Sequence, residues 1–176
     1  MEQRYDLSGS LLHWYDYNKR ILPWRENKDP YRIWISEIML QQTRVEAVKP
    51  YFDRFMEVLP TVYDLAKVDD DRLMKLWEGL GYYNRARNLK AAAQTIVEEY
   101  GGQLPADYDK LLSLKGIGMY TAGAIGSIAF ELQVPAVDGN VLRVLTRLWG
   151  DDSDILKDKT KKAMGRRVME FMPEDR

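Results

Sequence analysis

Leu114-Lys115-Gly116-Ile117-Gly118-Met119-Tyr120-Thr121-Ala122 is the stretch on which the fold turns. It lies between two helical patterns. Asp107 opens a short one with Tyr108, Leu111 and Leu112, and Met119 to Phe130 forms a second that is rich in small residues. A Gly-x-Gly that opens a helix leaves the first backbone N–H groups of that helix unpaired. It also lets an anion come close, because glycine has no side chain and tolerates a tight turn. Two helices joined in this way form a helix-hairpin-helix clamp, which grips one DNA strand at phosphate without reading bases. Glycines also serve purely structural turns. The flanking Leu114 and Ile117 and the following Thr121-Ala122 favour the clamp at Gly116, Ile117 and Gly118.

Outward from this hairpin the patterning is helical nearly throughout. Pro30 opens a helix over Tyr31 to Leu40, with Ile35, Ile38 and Met39 on one face. Val45 to Leu59 follows with Val48, Phe52, Phe55 and Met56, after which Pro60 stops one helix and Thr61 caps the next. Asp70 to Glu78 ends at Gly79 and Gly81, and Arg85 to Tyr100 ends at Gly101-Gly102. Val141 to Trp149 and Lys157 to Met172 supply two more helices. Val134-Pro135-Ala136-Val137 is the best strand candidate, but it is short and contains proline. The pattern predicts an all-α chain of about ten short helices joined by short loops.

Composition narrows the chemistry. Of 176 residues, 45% are apolar and 30% charged, a globular balance. No apolar stretch is long enough to span a bilayer, and the N-terminus has no apolar leader core, so no membrane partner is expected. Cysteine is absent, which excludes disulfides, thiolate metal sites and cysteine catalysis within these residues. A single histidine, His13, leaves carboxylates, Lys, Tyr, Ser and backbone to carry any reaction. The 26 basic and 27 acidic residues give no bulk electrostatic pull on nucleic acid, so local distribution has to decide.

Two carboxylates stand out. Asp138, in Pro135-Ala136-Val137-Asp138-Gly139-Asn140-Val141, precedes a helix. It reads either as a plain N-cap or as a fixed anion, favoured by the helix dipole, that can steady a developing cation; the local residues favour the cap. Glu37, in Trp34-Ile35-Ser36-Glu37-Ile38-Met39-Leu40-Gln41-Gln42-Thr43, sits on a mostly apolar helix. On a solvated face it would be ordinary surface; pointed inward, it would be held protonated by desolvation and act as a general acid.

Together these stretches resemble the helix-hairpin-helix superfamily of base-excision DNA glycosylases, and within it the MutY-type adenine DNA glycosylases. The resemblance runs in order through Leu22-Pro23-Trp24-Arg25, Asp29-Pro30-Tyr31, Ser36 to Thr43, Gly79 to Leu89, Gly116 to Ala122, and Val137 to Val141 with Arg143-Val144. It implies a six-helix barrel domain over roughly 23–133. A second helical domain would be built from 1–22 and 134–176, with duplex DNA lying in the groove between the two. It implies removal of adenine mispaired with 8-oxoguanine or guanine by a monomer, in the bacterial cytoplasm at the nucleoid or in the nucleus or mitochondria. Glu37 matches the catalytic glutamate, Asp138 the catalytic aspartate, and Asn140 the residue that supports the carboxylates. Tyr120 stands where bifunctional relatives such as endonuclease III carry a Schiff-base lysine, which implies a monofunctional enzyme. Gln42 and Tyr82 match residues that enter the duplex, with Thr43 and Leu80 beside them, and Trp24 and Arg25 match part of the adenine pocket wall.

One departure is specific. Most of the family carries four cysteines that bind a four-iron–four-sulfur cluster, followed by a domain that helps recognise 8-oxoguanine. Neither is found in this sequence, so the expectation is a truncated catalytic core that holds no cofactor or metal of its own and has an incomplete second domain. Two rivals remain at this level. One is a thymine-mismatch glycosylase of the same superfamily, since Tyr120 suits both branches. The other is a helical DNA-binding module in which Glu37 is surface and Asp138 only a cap.

Overall fold

A computed structural model describes residues 6–173. Residues 1–5, on which the reading of the N-terminus rests, and the charged last three residues lie outside the described residues. The described chain is all-helical: α1 (Leu7–Asn18), a 3-10 turn (Pro23–Arg25), α2 (Pro30–Leu40), α3 (Val45–Val58), α4 (Val62–Lys67), α5 (Asp70–Trp77), α6 (Asn84–Tyr100), α7 (Tyr108–Ser113), α8 (Met119–Phe130), α9 (Gly139–Trp149) and α10 (Asp158–Met169). Val134–Val137 is not a strand. It runs as extended coil between α8 and α9.

Local chemistry sets the boundaries. Asp29 accepts from the Tyr31 N–H at 2.8 Å, with Pro30 in the first turn of α2. Thr61 and Asp64 form a reciprocal capping box at α4. Asp107 caps α7 through the Lys110 N–H, and Gly101 closes α6 in the left-handed conformation.

The core is organised around α2. The sequence marks Ile35, Ile38 and Met39 as one face, but the helix is buried without interruption from Ile33 to Met39. It packs between α3 and α8. A helix enclosed on all sides has no solvated stripe to give to a polar residue. Ser36 returns its hydroxyl to the Ile33 carbonyl at 2.8 Å, and Glu37 is left to face the interior.

The small residues of α8 set the next layer. A Cβ on Gly123 would stand 2.2 Å from the Pro135 carbonyl oxygen, and one on Gly126 would stand 2.9 Å from Val134 Cγ2. The extended 134–137 segment therefore lies directly on α8. Since α8 also packs on α2, Asp138, which follows that segment, arrives on the side of α2 that carries Glu37. Beyond it the packing thins: α1 buries no residue, α9 only Leu142, and α10 only Met164 and Gly165.

Candidate active site

A cleft of about 620 Å³ opens between the 20–25 segment after α1, the C-terminal half of α2, the turn before α6, and the beginnings of α8 and α9. Among its walls are Trp24, Arg25, Glu37, Gln42, Tyr82, Tyr120 and Asp138, seven of the residues that the sequence singles out.

Glu37 is the interior group of this cleft, 3% exposed. Burial raises its carboxyl above the ordinary glutamate range. Arg25 opposes that shift, with Nη2 3.4 Å from Oε1, as does the Tyr120 hydroxyl, while the charge of Asp138 reinforces it. The phenol of Tyr120 is pushed well above its usual range, first by burial and then by the Glu37 charge. Tyr120 therefore stands beside the carboxyl as a neutral hydroxyl.

Asp138 is both of the things its sequence position allows. Its Oδ1 accepts from the Val141 N–H at 2.8 Å, capping α9, and its Oδ2 accepts from Asn140 Nδ2 at 2.9 Å. Both oxygens are thus held while the carboxylate lines the cleft. Asn140 is exposed and touches the cleft only through Asp138; its own carbonyl lies 3.4 Å from Arg143 Nη2.

Trp24 presents one edge to the cleft, but its ring is core, packed edge-on against Phe52 at 5.3 Å. Gln42 and Tyr82 share an unusual backbone. Both have positive φ, 58° and 49°, and with Glu131 they are the non-glycine residues in that region among those described. Non-glycine residues held there carry strain that the surroundings must offset, a condition that concentrates at functional sites. Thr43 lies outside the cleft lining, its hydroxyl turned to the Gln41 carbonyl at 3.4 Å.

The hairpin glycines divide their labour. Gly116 has φ +83°, and a Cβ there would meet Asn88 Cβ at 2.8 Å, so the turn itself requires glycine. Gly118 is extended, at φ −95°, with open space where a Cβ would be. Of the two glycines expected to allow the tight turn, only Gly116 has a backbone that favours glycine; at Gly118 the backbone would accept other residues. Gly118 caps α8 without a side chain, leaving the N–H groups at the start of that helix without a capping acceptor. The side chains of Ile117 and Leu80 are buried, and the Ile117 N–H is spent on the Leu114 carbonyl, so these two offer a ligand little beyond backbone.

The cleft continues into a second one of about 790 Å³, which shares Gln41, Tyr120 and Asp138 and adds Gly118, Met119, Lys161, Lys162 and Arg166. Sequence reasoning missed those cations on α10, whose helical charge pattern looks like ordinary surface. It also passed over Arg85, which lines the first cleft under the turn that carries Tyr82.

The profile of the HhH-GPD superfamily of base excision DNA repair proteins matches residues 35–171. The chain belongs to this superfamily. It is 47% identical over 148 residues to an adenine DNA glycosylase of Rattus norvegicus, covering 79% of this chain and 29% of that one. Across eight such adenine DNA glycosylases the chain spans 26–45% of their length. Among solved structures it is similar to a thermostable thymine-DNA glycosylase (30% identity, TM-score 0.87, 96% of this chain and 77% of that one). It is also similar to a trapped endonuclease III–DNA covalent intermediate (25% identity, TM-score 0.78, 95% and 76%). As to cofactors, the sequence has no cysteine, so its residues do not fit the thiolate-held iron–sulfur cluster that the resemblance associates with most relatives. No group of three or more potential metal ligands occurs among the described residues, and no described helix is long and apolar enough to cross a membrane.

Proposed function

We propose that this chain is the catalytic core of a monofunctional adenine DNA glycosylase acting on adenine opposite 8-oxoguanine or guanine in duplex DNA. The observation that carries the proposal is the interior Glu37, raised by burial, in one cleft with the doubly held Asp138 and the neutral Tyr120.

The chemistry follows from the two environments. The target adenine leaves the stack and enters the cleft. Neutral Glu37 gives its proton to adenine N7. The C1′–N9 bond then breaks with its electron pair leaving on the base, so adenine departs neutral. The sugar is left with oxocarbenium character beside Asp138, an anion already fixed by two donors. Water adds at C1′ and passes its proton to Glu37, now a carboxylate, which restores the acid and leaves an abasic sugar. A carboxylic acid working beside a second carboxyl group is the general device of glycoside hydrolysis. Tyr120 has no amine, so no Schiff base forms through it. The duplex would be held at phosphate by the α8 N-terminus at Gly118, with Lys161, Lys162 and Arg166 along the adjoining cleft.

The likeness to a thymine-DNA glycosylase structure favours a second reading, in which the base released is thymine opposite guanine. Single-turnover release from a panel of duplexes separates the two. The proposal expects adenine from adenine:8-oxoguanine and adenine:guanine duplexes and no thymine from thymine:guanine. Thymine release with adenine retained overturns it.

A further inference from the structure

Arg85, at the start of α6, reaches across to two loops at once. Its Nη1 lies 2.8 Å from the Ile38 carbonyl oxygen, 3.1 Å from that of Met39 and 2.7 Å from that of Gln41. These are carbonyls at the C-terminal end of α2 and of its cap residue Gln41, where helical pairing runs out; that of Ile38 also accepts from the Gln41 N–H at 3.4 Å. Its Nη2 lies 2.9 Å from the Leu80 carbonyl and 3.2 Å from that of Gly81. The guanidinium lies over two aromatic rings, 5.4 Å from the Trp77 centroid and 5.6 Å from that of Tyr82. Trp77 ties down the same turn, its indole N–H donating to the Gly81 carbonyl at 3.1 Å.

Each of the two loops bound in this way carries a non-glycine residue in strained backbone. Gln42 directly follows the Gln41 carbonyl, and Tyr82 directly follows that of Gly81. Neither residue gains left-handed conformation for free, and both stand on the cleft, Tyr82 largely exposed. The planar fork carries two donors on each Nη and so addresses carbonyls in two directions, the three on Nη1 sharing its two hydrogens; a lysine ammonium gathers its three donors at one point.

We propose that Arg85 is a positioning residue that locks the Gln42 and Tyr82 loops into one prestrained wedge, so that the work of separating a base pair is prepared in the free protein. The proposal rests on the glycosylase reading of the cleft and adds to it a division of roles. Glu37 and Asp138 break the glycosidic bond, and Arg85 acts earlier, on the opening of the pair. A wedge left slack would still present intact chemistry to a base that needs no opening.

The test uses the full chain with Arg85→Met, which keeps the apolar stem, and Arg85→Lys, which keeps the charge. Hydrogen exchange on the free protein is the first measurement. In Arg85→Met the amides of 41–44 and of 79–83 are expected to lose protection together while those of α8 keep theirs. Loss confined to 79–83, or no loss, overturns the coupling. The second measurement is single-turnover adenine release from two duplexes, one with adenine opposite 8-oxoguanine and one with adenine opposite an abasic site, where there is no pair to open. Arg85→Met is expected to slow the first by on the order of 10²-fold, the usual scale for misplaced groups remote from the chemistry. Release from the second stays near parental, and Arg85→Lys falls between. Equal losses on both duplexes, or parental rates on both, overturn the proposal. If the parent itself releases no adenine, the glycosylase reading fails instead, and the exchange measurement still decides whether Arg85 couples the loops.

Discussion

Glu37 and Asp138 reach one cleft from two kinds of packing. α2 is enclosed along its length, eight of its eleven residues buried, and Glu37 takes its properties from that enclosure. α9 buries one residue of its eleven, and Asp138 takes its place from short-range devices: a cap bond to Val141, a bond from Asn140, and the seating of 134–137 on α8. A proton donor at neutral pH calls for desolvation, which only a dense region supplies. A fixed anion calls for donors at its oxygens, which a helix start supplies even at the edge of the packing. The contrast predicts that the two carboxyls respond to different perturbations.

The largest expected effect sharpens the role of Asp138. Asp138→Asn keeps an equally good cap, so thermal unfolding should shift little. Removing a preorganised electrostatic stabiliser typically costs about 10²–10³-fold in rate, and single-turnover adenine release should fall on that scale. A parallel loss of stability and rate would mean that Asp138 is a cap alone.

The next effect sets the two sides of the 134–137 segment against each other. Gly123→Ala places a methyl 2.2 Å from the Pro135 carbonyl, where backbone must move. It should destabilise by about 1–3 kcal/mol in urea unfolding and displace Asp138. Gly165→Ala approaches the same proline from α10 at 3.5 Å, an ordinary contact, and should be neutral or stabilising by up to about 1 kcal/mol. Equal responses would erase the distinction between the dense and the sparse side.

In the hairpin, Gly116→Ala should cost about 1–3 kcal/mol through its positive φ, most of it visible as lowered Tm. Gly118→Ala should leave Tm unchanged and weaken binding to matched and mismatched duplexes by a similar factor. Unchanged affinity would mean that Gly118 is not where a phosphate comes close.

The smallest effect is a stability trend with pH. Glu37 has a folded pKa raised above its unfolded value, so its favourable contribution is complete below the unfolded pKa and is lost as pH rises through the folded one. Glu37→Gln should therefore gain Tm relative to the parent as pH increases from 4 to 8. A gain that shrinks over that range would mean that the Arg25 ion pair outweighs burial.

Much of this was legible in the residues because it rests on local rules. Asp29-Pro30, Thr61 with Asp64, Asp107 and Gly101 mark helix ends by hydrogen bonds and backbone preference that need no partner segment. α9 begins two residues earlier than its apolar pattern suggests because Asp138 caps from Gly139 onward. The direction of Glu37 was not legible, since three apolar positions on one face do not reveal that neighbouring elements cover the other faces as well. Arg85 was invisible for a similar reason. Its value lies in five carbonyls, and backbone oxygens carry no sequence signature. Gly116 and Gly118 look alike as letters and separate only in φ and in what stands beside them.

Glu37, taken out of water by the packing around α2, is proposed as the acid that releases adenine. Single-turnover release from an adenine:8-oxoguanine duplex by Glu37→Gln tests it most directly, with duplex affinity measured in parallel. Glutamine keeps the shape and cannot give the proton. Near-parental affinity is expected, with a rate lowered by on the order of 10²–10⁴-fold. A Glu37→Gln protein that releases adenine at close to the parental rate contradicts it.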